Sequence, residues 1–182
     1  MQQPSSLLIA LNDLPPKGKD IVCEEQSLWQ KGLDEFAMDV RITHALKAVV
    51  TLTPLPEGCL IRGHLSGQVA MPCRRCAEEI SFPIAWDFED FENLNRNSAE
   101  QEEITLDEES LIFLDHDRPM LDLGALLWEE LLLALPDNPL CKVDCLGICP
   151  VCGNNRNSNP CTCADKKTDP RMDIFRTLKI KK

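Results

Sequence analysis

The chain has 182 residues, ten cysteines and a net charge of −11. This acidic total argues against a protein that grips nucleic acid over its whole surface, because phosphate binding depends on Lys and Arg displacing counterions. Residues 166–182 carry seven basic and two acidic side chains, so the segment 1–165 carries −16. No basic segment precedes an apolar run at the start, and nowhere do 18 apolar residues run together. We therefore expect a cytoplasmic location, without secretion or membrane insertion.

Alternation of apolar and polar residues predicts an antiparallel β domain over residues 1–98. The opening residues show no pattern and are expected to be irregular. One alternating segment begins at Phe36, and the pattern repeats from Leu46 to Leu52. Pro54–Gly58 then predicts a hairpin turn, because Pro fixes φ and Gly permits a positive φ.

Two further strands are predicted on either side of a Cys-x2-Cys turn. The first ends at Cys73, and the second alternates from Ile80 to Phe88. Pro83 lies on the polar side of the second strand, which favours an edge position. The turn from Cys73 to Cys76 is therefore expected to join the two strands as a hairpin.

Residues 93–110 contain six acidic side chains and little apolar pattern, so we interpret residues 99–120 as an acidic linker. A core helix is predicted over residues 121–136, with Asp122 as its N-cap and Pro136 at its end.

The surface of this helix is almost entirely apolar, which predicts that it is buried against the sheet. Trp128 is accordingly interpreted as a core residue. The expected fold class is α+β: an antiparallel, partly curled β-sheet covered by one long buried helix, followed by a C-terminal cysteine-rich zinc module over residues 139–165 and a basic tail over residues 166–182.

Eight of the ten cysteines have spacings typical of metal ligands, and eight is the ligand count of two tetrahedral zinc sites. In a reducing cytoplasm, clustered cysteines hold metal more often than they form disulfides. The first predicted site contains Cys149, Cys152, Cys161 and Cys163. The second would attach the end of the helix to the sheet through Cys73, Cys76, Cys141 and Cys145.

Ligand counting also permits another partition, in which Cys145, Cys149 and Cys152 join one of Cys161 or Cys163. This second partition forms one site, leaves spare thiols and gives Cys73 and Cys76 only a structural or redox role. A four-thiolate zinc site has no open position for water and is structural. Iron is as acceptable as zinc to such ligands.

Nine basic residues are candidate contacts to RNA or a protein partner, although a solvated surface explains them equally well. Four lie beside the cysteines, and five lie in the tail: Arg74, Arg75, Lys142, Arg156, Lys166, Lys167, Arg171, Arg176 and Lys179.

No pattern of catalytic residues indicates an enzyme. The three histidines are scattered, and the chain lacks a phosphate-binding loop and a His-Glu-x-x-His motif.

Two alternatives remain open. A zinc–thiol redox switch or redox-regulated chaperone also uses clustered cysteines, and a zinc ribbon that reads DNA is disfavoured by the acidic body and by the absence of a basic recognition helix.

Several motifs in a fixed order resemble the YceD family of bacteria and plastids: Arg62-Gly-His-Leu-Ser-Gly67, Met71-Pro-Cys-Arg-Arg-Cys76, the Leu121–Pro136 segment and Cys145-Leu-Gly-Ile-Cys-Pro-Val-Cys-Gly153. The resemblance implies a role in accumulation of large-subunit ribosomal RNA, as an assembly factor that binds RNA or a ribosomal protein. One departure is Asn154-Asn-Arg-Asn157, where the family more usually has Asn-Leu-Asn. This departure leaves the packing of the loop open.

Overall fold

The computed structural model describes residues 7–94 and 111–163. The strands in these ranges all pair antiparallel, which confirms the α+β class. The elements are β1 (Leu8–Ala10), a 3₁₀ turn (Leu11–Asp13), β2 (Lys19–Cys23), α1 (Gln26–Glu35), β3 (Arg41–Leu55), β4 (Gly58–Pro72), β5 (Glu79–Asn93), β6 (Ile112–Asp115), β7 (Arg118–Asp122) and α2 (Leu123–Ala134).

The larger sheet has the strand order β2-β3-β4-β5 and contains three strands of 15 residues. As predicted, β3 and β4 form a hairpin, in which Leu55 pairs with Gly58. Strand β5 lies at the edge of the sheet, as Pro83 indicated. The β4–β5 ladder runs to the pair Pro72 and Glu79, so the Cys73–Cys76 turn joins these strands.

The predicted start of the sheet at Phe36 was wrong, and the opening residues are not irregular. They form β1, the 3₁₀ turn, β2 and the helix α1. Phe36 is the C-cap of α1, and the strand β3 begins only at Arg41. The two alternating segments predicted over Phe36–Leu52 are largely one strand, with irregular register between Ile42 and Lys47.

A second sheet with the order β1-β7-β6 was not predicted. Its β6–β7 hairpin occupies residues 112–122, so the described part of the segment predicted as linker is mostly strand. His116 and Asp117 take positive φ angles at the tight turn between these strands. Most of the predicted acidic segment, residues 95–110, lies outside the described residues.

Within residues 7–94 and 111–163, two helices rather than one long buried helix pack on the sheets. Asp122 is the N-cap of α2, as predicted: its side chain accepts a hydrogen bond from the Ala125 N–H at 2.9 Å. The helices approach closely at Gly32 of α1, where an added Cβ would lie 2.6 Å from the Trp128 ring. Half-buried Trp128 stacks on Phe36, with ring centroids 5.8 Å apart.

One hydrophobic core joins both sheets and both helices. Side chains on the inner face of β3 and β4 and on one stripe of α2 are inaccessible to solvent, and examples are Leu46, Val50, Ile61, Leu65, Leu127 and Leu131. The opposite stripe of α2 is not buried, since Leu133 remains 64% exposed. None of the helices in the described ranges has the length and apolar character required to cross a membrane.

The buried carboxylate of Glu130 connects α2 to the sheet. Its Oε2 atom accepts a hydrogen bond from the Trp86 indole N–H of β5 at 2.7 Å. Burial raises the pKa of Glu130, and the negative charge of Asp90 acts in the same direction, whereas the Trp86 hydrogen bond lowers the pKa. The pKa of Glu130 is higher in the folded state than in the unfolded state. The carboxylate therefore destabilises the fold increasingly as pH rises from the unfolded-state pKa through the folded-state pKa.

Substitution of Glu130 tests this interaction. We expect Glu130→Ala to lower the free energy of unfolding by about 1–3 kcal/mol, because the Trp86 N–H loses its acceptor. Glu130→Gln retains an acceptor without the charge, so it should be much less destabilising and should make stability depend less on pH. Urea denaturation followed by tryptophan fluorescence between pH 5 and 8 measures both effects. Equal losses for the two variants would contradict this account.

Candidate metal centre

The first cluster contains Cys73, Cys76, Cys141 and Cys145, whose sulfur atoms all lie within 4.8 Å of one another. Two cysteines come from the β4–β5 turn and two from the segment that follows α2. The turn is closed by the Cys73 N–H, which donates to the Glu78 carbonyl at 2.8 Å. It is joined to the other segment by the Arg74 N–H, which donates to the Pro139 carbonyl at 2.9 Å.

The spacing of the sulfur atoms fits a tetrahedral metal ion. Cys73 and Cys145 Sγ are 3.8 Å apart, and Cys76 and Cys141 Sγ are 3.5 Å apart. A tetrahedron with zinc–sulfur bonds of about 2.3 Å has sulfur–sulfur edges of about 3.8 Å. The cysteines are free thiols, so the same distances do not represent disulfides. Four such side chains can bind a metal ion.

Burial and hydrogen bonds shift the pKa values of the first-cluster thiols in different directions. Burial disfavours the Cys73 thiolate, but backbone N–H groups, that of Cys141 among them, lower its pKa to about 6. Burial raises the pKa of Cys141 to about 12, and the neighbouring sulfurs of Cys145 and Cys76 add to this effect. Four adjacent thiolates repel each other, and a bound dication removes that repulsion and favours all four charges.

The second cluster contains Cys149, Cys152, Cys161 and Cys163, whose sulfur atoms also lie within 4.8 Å of one another. Its turn resembles the first one: the Cys149 N–H donates to the Asn154 carbonyl at 2.8 Å, as the Cys73 N–H does to the Glu78 carbonyl. Backbone N–H groups of Cys152 and Val151 lower the pKa of Cys149 to about 6. The Cys152 side chain and burial raise the pKa of Cys163 to about 12.

The two clusters differ in exposure to solvent. In the first, three cysteines are no more than 5% exposed, and Cys141 is intermediate. In the second, Cys149 is buried, Cys161 is intermediate, and Cys152 and Cys163 are exposed. The two clusters have the same members as the two predicted sites. The sulfurs of Cys145 and Cys149, which the second partition would join, lie in different clusters. Metal ligation by these residues stays a prediction.

A short segment at Gly147 connects the clusters. The Ile148 N–H donates to the Arg75 carbonyl at 3.0 Å, and the Arg156 N–H donates to the Gly147 carbonyl at 2.9 Å. Gly147 has a φ of +73°, and an added Cβ would lie 3.0 Å from the Arg75 carbonyl oxygen. Only glycine satisfies both conditions without displacement of the β4–β5 turn.

Two of the basic residues predicted near the cysteines, Arg75 and Arg156, contact this junction through their backbones. Arg74 and Lys142 are next to the first-cluster residues Cys73 and Cys141 in the sequence. Arg74, Arg75, Lys142 and Arg156 are all exposed. Arg75 also has a structural role, because its Nη1 donates to the Cys145 carbonyl at 3.0 Å. The five tail residues, Lys166, Lys167, Arg171, Arg176 and Lys179, lie outside the described residues.

Sequence reasoning missed two asparagines that bridge the clusters. Asn157 Nδ2 donates to Cys145 Sγ at 3.2 Å, and Asn155 Nδ2 donates to Glu78 Oε1 at 2.7 Å. The indication available in the sequence was the asparagine-rich segment over residues 154–157. In the structure this segment packs through polar contacts.

The fold and the site together define an α+β protein with two four-cysteine clusters that can bind metal. A family model described as "Large ribosomal RNA subunit accumulation protein YceD" matches residues 61–179. Because this match covers more than half of the chain, the protein belongs to the YceD family. Neither the curated proteins nor the solved structures gave a match. The matched region begins within β4 and includes all eight clustered cysteines.

The exposure difference predicts the order of metal loss. We expect two tetrathiolate metal ions per chain, with the second cluster losing its ion first to a chromophoric chelator, because Cys152 and Cys163 are exposed. Cys163→Ser should remove the fast phase of release, whereas Cys145→Ser should remove the slow phase. Elemental analysis gives the stoichiometry. Release in a single phase from the intact chain would contradict the prediction.

The junction can be tested by a matched pair of glycine substitutions. Gly153 has a φ of +75°, so Gly153→Ala should lower the free energy of unfolding by about 1–2 kcal/mol through backbone strain. Nothing lies within 4 Å of the added Cβ, so this substitution adds no steric contact. Gly147→Ala adds contact with the Arg75 carbonyl and should weaken its bond to Ile148. We expect about fivefold faster hydrogen exchange at the Ile148 amide, the factor for a loss of about 1 kcal/mol. Equal exchange in both variants would exclude this role for Gly147.

Proposed function

We propose that this protein is a non-enzymatic assembly factor for the large ribosomal subunit that supports accumulation of its RNA. Membership of the YceD family, whose model carries that description, is the observation that supports the proposal most directly. The cysteine clusters support it from chemistry, since four-thiolate sites lack an open coordination position and serve structure rather than hydrolysis. With this role we propose a cytoplasmic location.

Zinc is the proposed ion in both clusters. Sulfur–sulfur distances of 3.5 and 3.8 Å in the first cluster suit tetrahedral zinc. Zinc bound by four thiolates leaves a net charge of about −2 at each site. The exposed side chains of Arg74, Arg75, Lys142 and Arg156 can offset this charge and still face a partner.

Contact with the partner is proposed for the cysteine module and the basic tail, residues 166–182. The tail carries +5, whereas the segment 1–165 carries −16. Phosphate groups attract the tail and the basic side chains around the junction, and the acidic body is kept off the RNA by repulsion. In this arrangement the module orients the bound RNA or ribosomal protein without covering it.

A zinc–thiol redox switch is the second candidate, and one observation favours it at the second cluster. Cys152 and Cys163 are exposed, and oxidation of thiolates depends on their accessibility. Mild peroxide followed by mass spectrometry separates the candidates. A structural role requires that both zinc ions stay bound, whereas a switch requires zinc loss with disulfide formation.

Charge reversal near the junction tests RNA contact. Arg74→Glu with Lys142→Glu should weaken binding of large-subunit ribosomal RNA and should lower the slope of log affinity against log salt by about 0.7–0.9 for each phosphate group that the protein no longer neutralises. Lys17→Glu with Lys19→Glu is the matched control, because Lys19 lies on β2 at the opposite edge of the sheet. The same change of charge there should leave the salt slope unaltered.

Crosslinking in cells tests the whole proposal. Ribosomal RNA or a large-subunit protein should be recovered with the intact chain, and deletion of residues 166–182 should reduce the recovery. Recovery of a large-subunit protein without RNA, together with a salt slope that the charge reversal leaves unchanged, would identify a ribosomal protein as the partner. Recovery of neither would remove the proposed function.

A further inference from the structure

The loop between Cys152 and Cys161 belongs to the second cluster by sequence, but its side chains reach the first cluster. Asn157 Oδ1 accepts the Leu146 N–H at 2.9 Å, and Asn157 Nδ2 donates to Cys145 Sγ at 3.2 Å. Cys145 is 3% exposed, so this contact is made to a buried sulfur. A side chain positioned by one cluster therefore touches a possible metal ligand of the other.

The orientation of both asparagine amides follows from their partners. The Leu146 N–H can only donate, so the oxygen of Asn157 faces it and the NH₂ group faces the sulfur. The Asn157 backbone N–H likewise donates to Asn155 Oδ1 at 2.9 Å, which directs the Asn155 NH₂ group to Glu78 Oε1 at 2.7 Å. Asn157 Nδ2 also lies 2.9 Å from Asn155 Oδ1. These contacts fix Asn157 in one conformation.

The Asn157 contact affects metal binding through the negative charge of the Cys145 thiolate. A thiolate that coordinates metal carries negative charge, and an N–H donor stabilises that charge in a buried site. The donor is in place while the loop is closed, and the hydrogen bonds of Asn157 to Leu146 and of Asn155 to Glu78 contribute to this closure. The two ends of the loop, Cys152 and Cys161, belong to the second cluster. A metal ion at the second cluster holds both ends together.

We propose that Asn157 is a positioning residue that couples the two clusters, so that metal at the second cluster increases the affinity of the first cluster for metal. By reciprocity, metal at the first cluster increases the affinity of the second by the same factor. This inference rests on the proposed metal sites but is independent of the proposed RNA partner. Loss of a hydrogen bond to a metal ligand typically lowers metal affinity 10–100-fold, so we expect coupling of about tenfold.

Competition between the chain with both clusters intact and a chromophoric chelator for Zn²⁺ measures this coupling. Cys161→Ser/Cys163→Ser leaves the first site alone, and Cys76→Ser/Cys141→Ser leaves the second alone. The product of the two binding constants of the intact chain should exceed the product of these single-site constants about tenfold. In a chain with Asn157→Ala, the excess should fall to about one.

Asn154→Ala is the matched control, because Asn154 lies in the same loop and its side chain makes no hydrogen bond to any residue that the structure describes. It should keep the tenfold excess. Should the single-site variants fail to fold, the overall constants of the Asn157→Ala and Asn154→Ala chains decide, with the former about tenfold weaker. Equal constants for these two chains would overturn the coupling while leaving the metal sites intact. A wild-type chain that binds no zinc would overturn both.

Discussion

The structure depends on one meeting of distant segments: the turn between β4 and β5 contacts the chain that follows α2. Cys73 and Cys145, which are 72 residues apart in the sequence, lie 3.8 Å apart at their sulfurs. The apolar cluster around this meeting is small, with Ile80 and Leu140 beside the cysteines. So little apolar surface does not stabilise a module by itself, which explains why cysteines occupy the positions that a larger domain would fill with leucine.

Local rules made some parts of this structure predictable and left others inaccessible. The N-cap of α2 requires only Asp122 and the residues just after it. Spacing and ligand count predicted the two cysteine groups but also permitted a second partition, in which Cys145 joined Cys149 and Cys152. The start of β3 was misplaced because Phe36, Val40 and Ile42 mimic strand alternation across the boundary between α1 and β3. Asn157 could not be predicted, because its role exists only after the loop folds back onto Cys145.

Electrostatics opposes the assembly of this region and also explains its composition. Two sets of four thiolates would add negative charge to a chain whose segment 1–165 already carries −16. Glu78 Oε2 lies 4.0 Å from the Cys76 sulfur and adds a further negative charge beside the first cluster. Asn155 and the exposed arginines around Gly147 supply the compensating N–H groups and positive charge. A metal ion and these donors act on the same excess of negative charge, so their contributions are interdependent.

Chain connectivity gives the two clusters unequal roles in folding. The second cluster closes within the single short segment from Cys149 to Cys163, whereas the first must join segments separated by 65 to 72 residues. The entropy cost of closing a loop grows with its length, so the second cluster costs less to assemble by itself. Once closed, it holds the loop that carries Asn157. In the proposed coupling, the first cluster then receives a positioned donor when the β4–β5 turn reaches the end of α2, so the local cluster would act as a template for the distant one.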